Sequence, residues 1–260
     1  MINEIKNNFF SPDGTIILIN KPLGWTSFDA VKKIRNVIGS PPTLAKSSSS
    51  SGEPLQGRGE RAIRVKAGHA GTLDPLATGL LIICTGKMTK KISEIQSQEK
   101  EYTGTFVLGA ATPSYDLETE INSRKDFSHV TEKIIYDAAK NFTGKILQTA
   151  PLHSAKKING RRAYEIARQG GEAKLKPVEV SIHSFEITDI DLPKVSFKVI
   201  CGKGTYIRSL ANDFGQVLNC GAYLASLCRT RIGEYKLEDA VTPEEFEKEN
   251  FLPQIHRLKN

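Results

Sequence analysis

Residues 68–79 bring together side chains that are suited to proton-transfer chemistry. This segment contains His69 and Asp74 together with three glycines. An imidazole and a carboxylate can exchange protons with a substrate, and glycines permit a tight backbone path. Spacing alone nevertheless favours a simpler interpretation, a loop in which Asp74 begins a turn because Pro75 follows it.

Other kinds of chemical site are poorly supported. Six residues separate Gly79 from Gly86, and Met88 stands where a phosphate-binding P-loop has Ser or Thr, so we reject a P-loop. The five histidines lie far apart, and the four cysteines form no Cys-x-x-Cys pair. The sequence therefore predicts neither a metal site nor a disulfide framework, and no cofactor.

Composition and charge narrow the class of protein. The 260 residues, 39% of them hydrophobic, are typical of a globular chain and exclude a disordered or fibrous one. The longest apolar runs, such as residues 80–84, are too short to span a membrane, and the N-terminus lacks a signal-peptide core. We therefore expect a soluble cytoplasmic protein. Its net charge of +7 weakly favours an anionic partner such as nucleic acid.

Apolar periodicity and turn residues predict the elements that must position these side chains. The predicted strands are 14–20, 80–84, 102–108 and 195–201, and the predicted helices are 27–39, 87–95, 133–142, 205–221 and one that begins at Thr242. Ser27 and Thr205 are predicted N-caps, and Thr242 with Glu245 forms a capping box. Because strands and helices do not alternate regularly, we expect an α+β fold. Residues 40–64 are Ser-, Pro- and Gly-rich and predict a flexible insertion.

Residues 68–79 also resemble the signature motif of the TruB family of pseudouridine synthases, in which the motif aspartate is catalytic. The resemblance extends over most of the chain, about residues 14–245. Its further motifs are Lys21-Pro22-Leu23-Gly24-Trp25-Thr26-Ser27, Lys100-Glu101-Tyr102, Lys203-Gly204-Thr205-Tyr206-Ile207-Arg208 and Leu227-Cys228-Arg229-Thr230. Each motif taken singly has a structural explanation, but such explanations for all of them together are implausible.

The resemblance implies a pseudouridine synthase fold, a mixed and mostly antiparallel sheet flanked by helices and loops. It also implies isomerisation of uridine to pseudouridine in the T-loop of tRNA, at position 55, after the base is flipped out. The implied catalytic residues are Asp74, Tyr102 and Arg208, and the implied substrate-binding residues are Lys21, His69, Tyr102, Lys157, Tyr206 and Leu227. Arg208 is expected to pair with Asp74 and to keep it ionised, since an opposite charge lowers the pKa of a carboxyl group.

The sequence departs from the family pattern in the segment 148–157. Ala150 stands where the family usually has Pro, and His153 stands where it usually has Tyr. The chain also stops fifteen residues after Glu245, so we expect one catalytic domain over residues 1–260, with a short tail and no appended RNA-binding domain. We also expect the protein to be a monomer that recognises the T-arm stem-loop by itself.

Two other functions remain open. A guide-RNA-dependent pseudouridine synthase would share these motifs, although its usual additional domain is not expected here. A non-catalytic RNA-binding module would share the positive charge but would not need the Asp74 carboxylate. Release of tritium from C5 of labelled uridine, without any guide, would favour the standalone enzyme.

Overall fold

The computed structural model describes residues 13–39, 66–154, 156–158, 161–163 and 175–248. The insertion expected at residues 40–64 lies outside these ranges, and so does the chain beyond residue 248. A single catalytic domain over residues 1–260 therefore stays a prediction.

The predicted helices and the four predicted strands are present, with one helix divided, but the sequence pattern missed other strands, including Val178–Asp191 and Ala222–Ile232. The helices are α1 (Ser27–Gly39), α2 (Ile92–Ser97), α3 (Glu132–Lys140) and α4 (Ile207–Val217), and residues 243–248 are also helical. The strands are β1 (Ile16–Lys21), β2 (Ala67–His69), β3 (Ala77–Thr85), β4 (Lys100–Leu108), β5 (Ala110–Ala111), β6 (Ser123–Arg124), β7 (Gly144–Gln148), β8 (Lys157–Ile158), β9 (Arg161–Arg162), β10 (Val178–Asp191), β11 (Lys194–Cys201), β12 (Ala222–Ile232) and β13 (Tyr235–Lys236). The helix expected over 87–95 is instead a 3-10 turn, Gly86–Lys91, followed by α2. The Thr89 hydroxyl donates to the Gly86 carbonyl at 2.8 Å, a local bond that competes with regular helix.

The main sheet has the strand order β1-β3-β12-β4-β11-β10-β7, with β2 paired to β3 and β13 paired to β12. Its pairings are antiparallel except for the parallel pair β3–β12. The predicted α+β fold with a mostly antiparallel sheet is thus confirmed. Alternate residues of β3 pack into two separate cores. Leu81 and Ile83 belong to the larger core, and Leu80 and Ile82 belong to the smaller one. Burial on both faces explains why this strand is a continuous apolar run.

Helices α1, α3 and α4 contribute buried side chains to the larger core, which contains six buried phenylalanine rings. Phe106, at its centre, is fully buried and stacks on Phe197 with ring centroids 4.2 Å apart. The apolar residues Phe28 of α1 and Val217 of α4 are exposed and do not belong to the core. Helix α4 ends at Val217, four residues earlier than the expected end at Gly221.

The helix caps differ from the sequence expectation at two of three positions. Thr26, not Ser27, caps α1, because its hydroxyl accepts from the Asp29 amide at 3.0 Å while Asp29 accepts from the Thr26 amide. The residue preceding α4 is Tyr206, which makes no side-chain cap, and the Thr205 hydroxyl donates to the Gly202 carbonyl. The capping box of Thr242 and Glu245 is confirmed.

Candidate active site

One cavity, with a volume of about 460 Å³, brings together residues from five distant parts of the chain. Five of the predicted site residues line it: Asp74, Tyr102, Tyr206, Arg208 and Leu227. A cavity of this size lies within the range of small-molecule sites and can accept one nucleoside.

Strand pairing explains why these residues meet. The parallel pair β3–β12 places Leu227 opposite Ala77, three residues beyond Asp74. Strand β12 also pairs with β4, with Arg229 opposite Tyr102. Strand β11 lies on the other side of β4 and ends at Cys201, from which the chain leads through residues 202–206 into α4 and Arg208.

The loop that carries Asp74 is held from one side by the turn between β1 and α1. The Ser27 hydroxyl donates to the Leu73 carbonyl at 3.0 Å and accepts from the Leu73 amide at 2.8 Å. The Lys21 ammonium is fully buried and donates to three carbonyls, those of Trp25 at 2.6 Å, Pro22 at 3.0 Å and Pro75 at 3.5 Å. Both side chains therefore fix the backbone on either side of Asp74.

Arg229 holds the same loop from the other side. Its guanidinium is buried and donates to the carbonyls of Leu80 at 2.8 Å, Gly71 at 3.0 Å and Thr72 at 3.5 Å. Sequence reasoning gave Arg229 no role of its own. The only available signal was its place beside Leu227 in a family motif, because its carbonyl partners lie about 150 residues away in the chain.

The predicted pair of Asp74 and Arg208 is present in the structure. Arg208 Nε lies 3.0 Å from Asp74 Oδ2, and the arginine side chain is only 5% exposed. Its other nitrogens donate to the carbonyls of His153 at 3.0 Å and Ser114 at 3.3 Å. The Nε–H group has no aligned hydrogen-bond acceptor, so the contact with Asp74 is an ion pair rather than a linear hydrogen bond.

A second carboxylate, Asp116, faces the same guanidinium and was missed by sequence reasoning. Its Oδ2 lies 3.6 Å from Arg208 Nε, and its side chain is 6% exposed. The preceding residue, Tyr115, has a φ of 65°, a left-handed conformation that is uncommon for a residue other than glycine. This strained turn directs Asp116 inward, and no sequence pattern signalled it.

The structure corrects the expectation that the pKa of Asp74 is lowered. Burial is the main cause that raises the pKa of Asp74 above its ordinary value, although Arg208 and then Lys21 lower it. The carboxylates of Asp116 and Glu118 raise the pKa further. The Asp74 side chain is nevertheless 42% exposed to solvent. Arg208 thus opposes protonation of Asp74, as expected, but the net direction of the shift is upward.

Tyr102 forms a buried wall of the cavity beside Arg229. The residue is 9% exposed, and burial raises the pKa of its phenol, with Arg229 acting in the opposite direction. The phenol is therefore neutral at physiological pH. It offers a ring face for stacking and a hydroxyl that can donate or accept a proton.

The remaining predicted substrate-binding residues lie elsewhere. Lys21 and His69 are not among the residues that line the cavity. Burial lowers the pKa of Lys21 to about 8. Burial also lowers the pKa of His69, and the positive charge of Arg229 adds to this effect. Lys157 lies in β8, which pairs with β9 in a separate two-stranded sheet. Contacts of these three residues with substrate stay predictions.

Within the described ranges, no three His, Cys, Asp or Glu side chains are grouped in a way that could hold a metal ion. In the same part of the chain, no helix is both long and apolar enough to cross a membrane.

Comparison with known proteins identifies the family. Residues 60–207 match the model described as "TruB family pseudouridylate synthase (N terminal domain)", which covers more than half of the chain. Residues 208–255 match the "tRNA pseudouridylate synthase B C-terminal domain". The chain belongs to the TruB family of pseudouridylate synthases. This conclusion confirms the resemblance found in the sequence motifs.

Relatives in this TruB family align over almost their whole length. The "tRNA pseudouridine synthase B" of Flavobacterium johnsoniae is 49% identical over 91% of this chain and 96% of its own. The protein of the same name from Parabacteroides distasonis is 45% identical over 93% of this chain and 94% of its own.

Solved structures share the fold of this TruB chain. A "Cbf5-Nop10-Gar1 Complex" aligns with a TM-score of 0.65 and 25% identity, covering 94% of this chain and 59% of that one. An "H/ACA RNP bound to a substrate RNA containing 2'-deoxyuridine" aligns with a TM-score of 0.62 and 24% identity, over 95% of this chain and 55% of that one. The present chain thus spans a little over half of each of those longer chains.

Proposed function

We propose that this protein isomerises uridine to pseudouridine at position 55 in the T-loop of tRNA, with Asp74 as the catalytic carboxylate. The observation that supports this most strongly is the position of Asp74. Its carboxylate lies in a nucleoside-sized cavity, paired to a buried arginine at 3.0 Å and surrounded by Tyr102 and Leu227. The names of its relatives supply the substrate class, tRNA.

The reaction needs a carboxylate but no external reactant. The C1′–N1 bond breaks, the uracil rotates, a C1′–C5 bond forms, the C5 proton leaves and N1 gains a proton. An ionised Asp74 can assist by adding to C1′ or to C6, or by stabilising positive charge at C1′. Arg208 orients the carboxylate and offsets part of the cost of its burial.

The cavity walls suit a uracil ring that turns within the site. Tyr102 and Tyr206 present aromatic rings and Leu227 an aliphatic side chain. Stacking of a base on an aromatic ring contributes about 1–3 kcal/mol. The neutral Tyr102 phenol also provides a group that can receive or return a proton when C5 and N1 exchange theirs.

The substrate uridine must leave its RNA stack to reach Asp74, which costs a few kcal/mol. The net charge of +7 favours contact with RNA phosphates, and in our proposal Lys157 contributes to that contact. A monomer is part of the same proposal. A cytoplasmic location is the prediction that accompanies a tRNA substrate.

The test uses a tRNA transcript labelled with tritium at C5 of uridine. The purified protein should release tritium from position 55 without a guide RNA or cofactor, and a transcript with cytidine at that position should release none from the T-loop. A guide-RNA-dependent pseudouridine synthase is the second candidate, because such an enzyme would share the sequence motifs found here. Activity that appears only after a guide RNA is added would support it, and binding without any tritium release would indicate a non-catalytic RNA-binding module.

The T-arm stem-loop by itself should also be a substrate. RNA loops are commonly recognised through their shape and through bases that are splayed out, and Asp74 with its cavity needs only one such base. Turnover of the stem-loop and of full-length tRNA should be compared across a salt series. A stem-loop modified orders of magnitude more slowly at every salt concentration would show that essential contacts lie elsewhere on the tRNA.

A further inference from the structure

The segment from Gln148 to Ser154 is fixed tightly against the start of α4. The Gln148 side-chain oxygen accepts from the Tyr206 amide at 2.7 Å, and the Thr149 carbonyl accepts from the Ser209 hydroxyl at 2.7 Å. The His153 carbonyl accepts from the Arg208 guanidinium. Three bonds along seven residues hold this segment beside the residue that pairs with Asp74.

Three side-chain atoms of this segment are buried without a hydrogen-bond partner: Gln148 Nε2, His153 Nδ1 and Ser154 Oγ. A buried polar group without a partner destabilises the folded state, and most native proteins have few of them. Of these three residues, only Ser154 lines the cavity that contains Asp74.

Ser154 is suited to contact whatever fills the cavity. The residue is 3% exposed, and no described residue provides a partner for its hydroxyl. A serine hydroxyl can donate one hydrogen bond and accept two. A uridine offers both kinds of partner, namely base carbonyl oxygens, the N3–H group and the ribose 2′-hydroxyl.

We propose that the Ser154 hydroxyl binds the flipped nucleoside directly, through a polar group of the uracil or of its ribose. This inference rests on the proposed function and adds Ser154 to the substrate-binding residues that the family resemblance implies. It also explains why a tightly held segment retains a buried hydroxyl that no described residue satisfies. The hydroxyl forms its hydrogen bond only when the substrate is bound.

Ser154→Ala separates this role from a structural one. In the free protein the variant loses no hydrogen bond, so its Tm should equal or exceed that of the wild type. Its kcat/KM should fall about tenfold, as expected for one lost buried hydrogen bond. A structural role would give the opposite result, a lower Tm.

Thr85→Val provides the matched control. Thr85 is also fully buried, but its hydroxyl oxygen accepts from the Thr15 amide at 2.9 Å and donates to the Thr15 carbonyl at 3.4 Å. Thr85 is not among the residues that line the cavity. This variant should therefore lose stability and keep kcat/KM within about twofold of the wild-type value.

A binding assay with T-arm stem-loops gives a readout that does not need turnover. The target position carries uridine, 2′-deoxyuridine or an abasic site. Ser154→Ala should bind the uridine RNA about tenfold more weakly than the wild type does. Either the 2′-deoxyuridine or the abasic site should remove this difference between variant and wild type. Its removal by the abasic site indicates the base as the partner, and its removal by deoxyuridine indicates the ribose.

Several results would overturn the inference about Ser154. A lower Tm of Ser154→Ala, or its failure to fold, would show that the hydroxyl has a structural partner. Equal binding by variant and wild type, or an equal loss on all three RNAs, would also contradict it. A wild-type protein that binds uridine RNA but releases no tritium would refute the proposed function, while the binding comparison would still decide the role of Ser154.

Discussion

Asp116→Asn tests the electrostatics of the site, because it removes a charge and keeps the shape of the side chain. Asp116 Oδ2 and Asp74 Oδ2 lie 3.6 Å and 3.0 Å from the same Arg208 nitrogen, so the two oxygens are at most about 6.6 Å apart. Two charges at that separation repel by about 2.5 kcal/mol at an effective dielectric constant of about 20. Because Asp74 is 42% exposed, solvent screens part of this repulsion, and we expect the pKa of Asp74 to fall when the charge at position 116 is removed.

The direction of the effect on activity depends on which protonation state of Asp74 is active. In the proposed mechanism the ionised carboxylate is the active form, so kcat/KM should increase with pH as Asp74 loses its proton in the free enzyme. Removal of the like charge at position 116 lowers the pKa of Asp74 and moves this acid limb to lower pH. The plateau should fall about 10- to 100-fold, because Arg208 loses a charged partner that contributes about 1.5–3 kcal/mol.

Single-turnover tritium release between pH 4.5 and 9, with a range chosen for RNA stability, measures both effects. Glu118→Gln is the control, since Glu118 also raises the pKa of Asp74 but is exposed. This control should move the acid limb less and leave the plateau unchanged. An acid limb that stays in place or moves to higher pH in Asp116→Asn would refute the reasoning.

Two further predictions concern stability. Burial lowers the pKa of Lys21 to about 8 from an ordinary 10.5. Between these two pH values the unfolded chain binds more protons than the folded protein. The free energy of unfolding should therefore rise with pH in that window, by up to about 3 kcal/mol. Urea unfolding across pH 7.5–10.5 should show this rise in the wild type and not in Lys21→Met, and equal slopes would contradict it. Phe106→Ala should cost about 3–5 kcal/mol through loss of the central core ring, whereas Phe28→Ala, at a ring that is 63% exposed, should change the free energy by less than about 0.5 kcal/mol.

Local pattern was sufficient for most of the helices and for four of the strands, but it missed others, including β10 and β12. The apolar positions of α1 and the alternation of β11 predict their buried faces, because a helix or strand exposes its sides with a fixed period. Errors occurred where a local signal had a distant partner. Ser27 has the residue type of an N-cap, but its hydroxyl binds the Leu73 backbone, 46 residues away. Periodicity carries no information about such a contact.

The candidate site shows the same division. Asp74 and Arg208 were predicted as a pair from the family resemblance, and the structure places them together. Asp116 was missed because a strained turn, rather than a motif, directs it toward Arg208. The upward shift of the pKa of Asp74 also depends on burial and on Asp116, and neither can be derived from sequence spacing.

The most direct test of the account compares the wild type with Asp74→Asn in single-turnover tritium release from labelled tRNA. The Asn side chain keeps the size of Asp74 and removes its charge. The wild type should release the C5 tritium of uridine 55 without a guide RNA, and the variant should release none while it binds the tRNA with nearly unchanged affinity. Substantial turnover by Asp74→Asn would contradict the central claim that this carboxylate performs the chemistry.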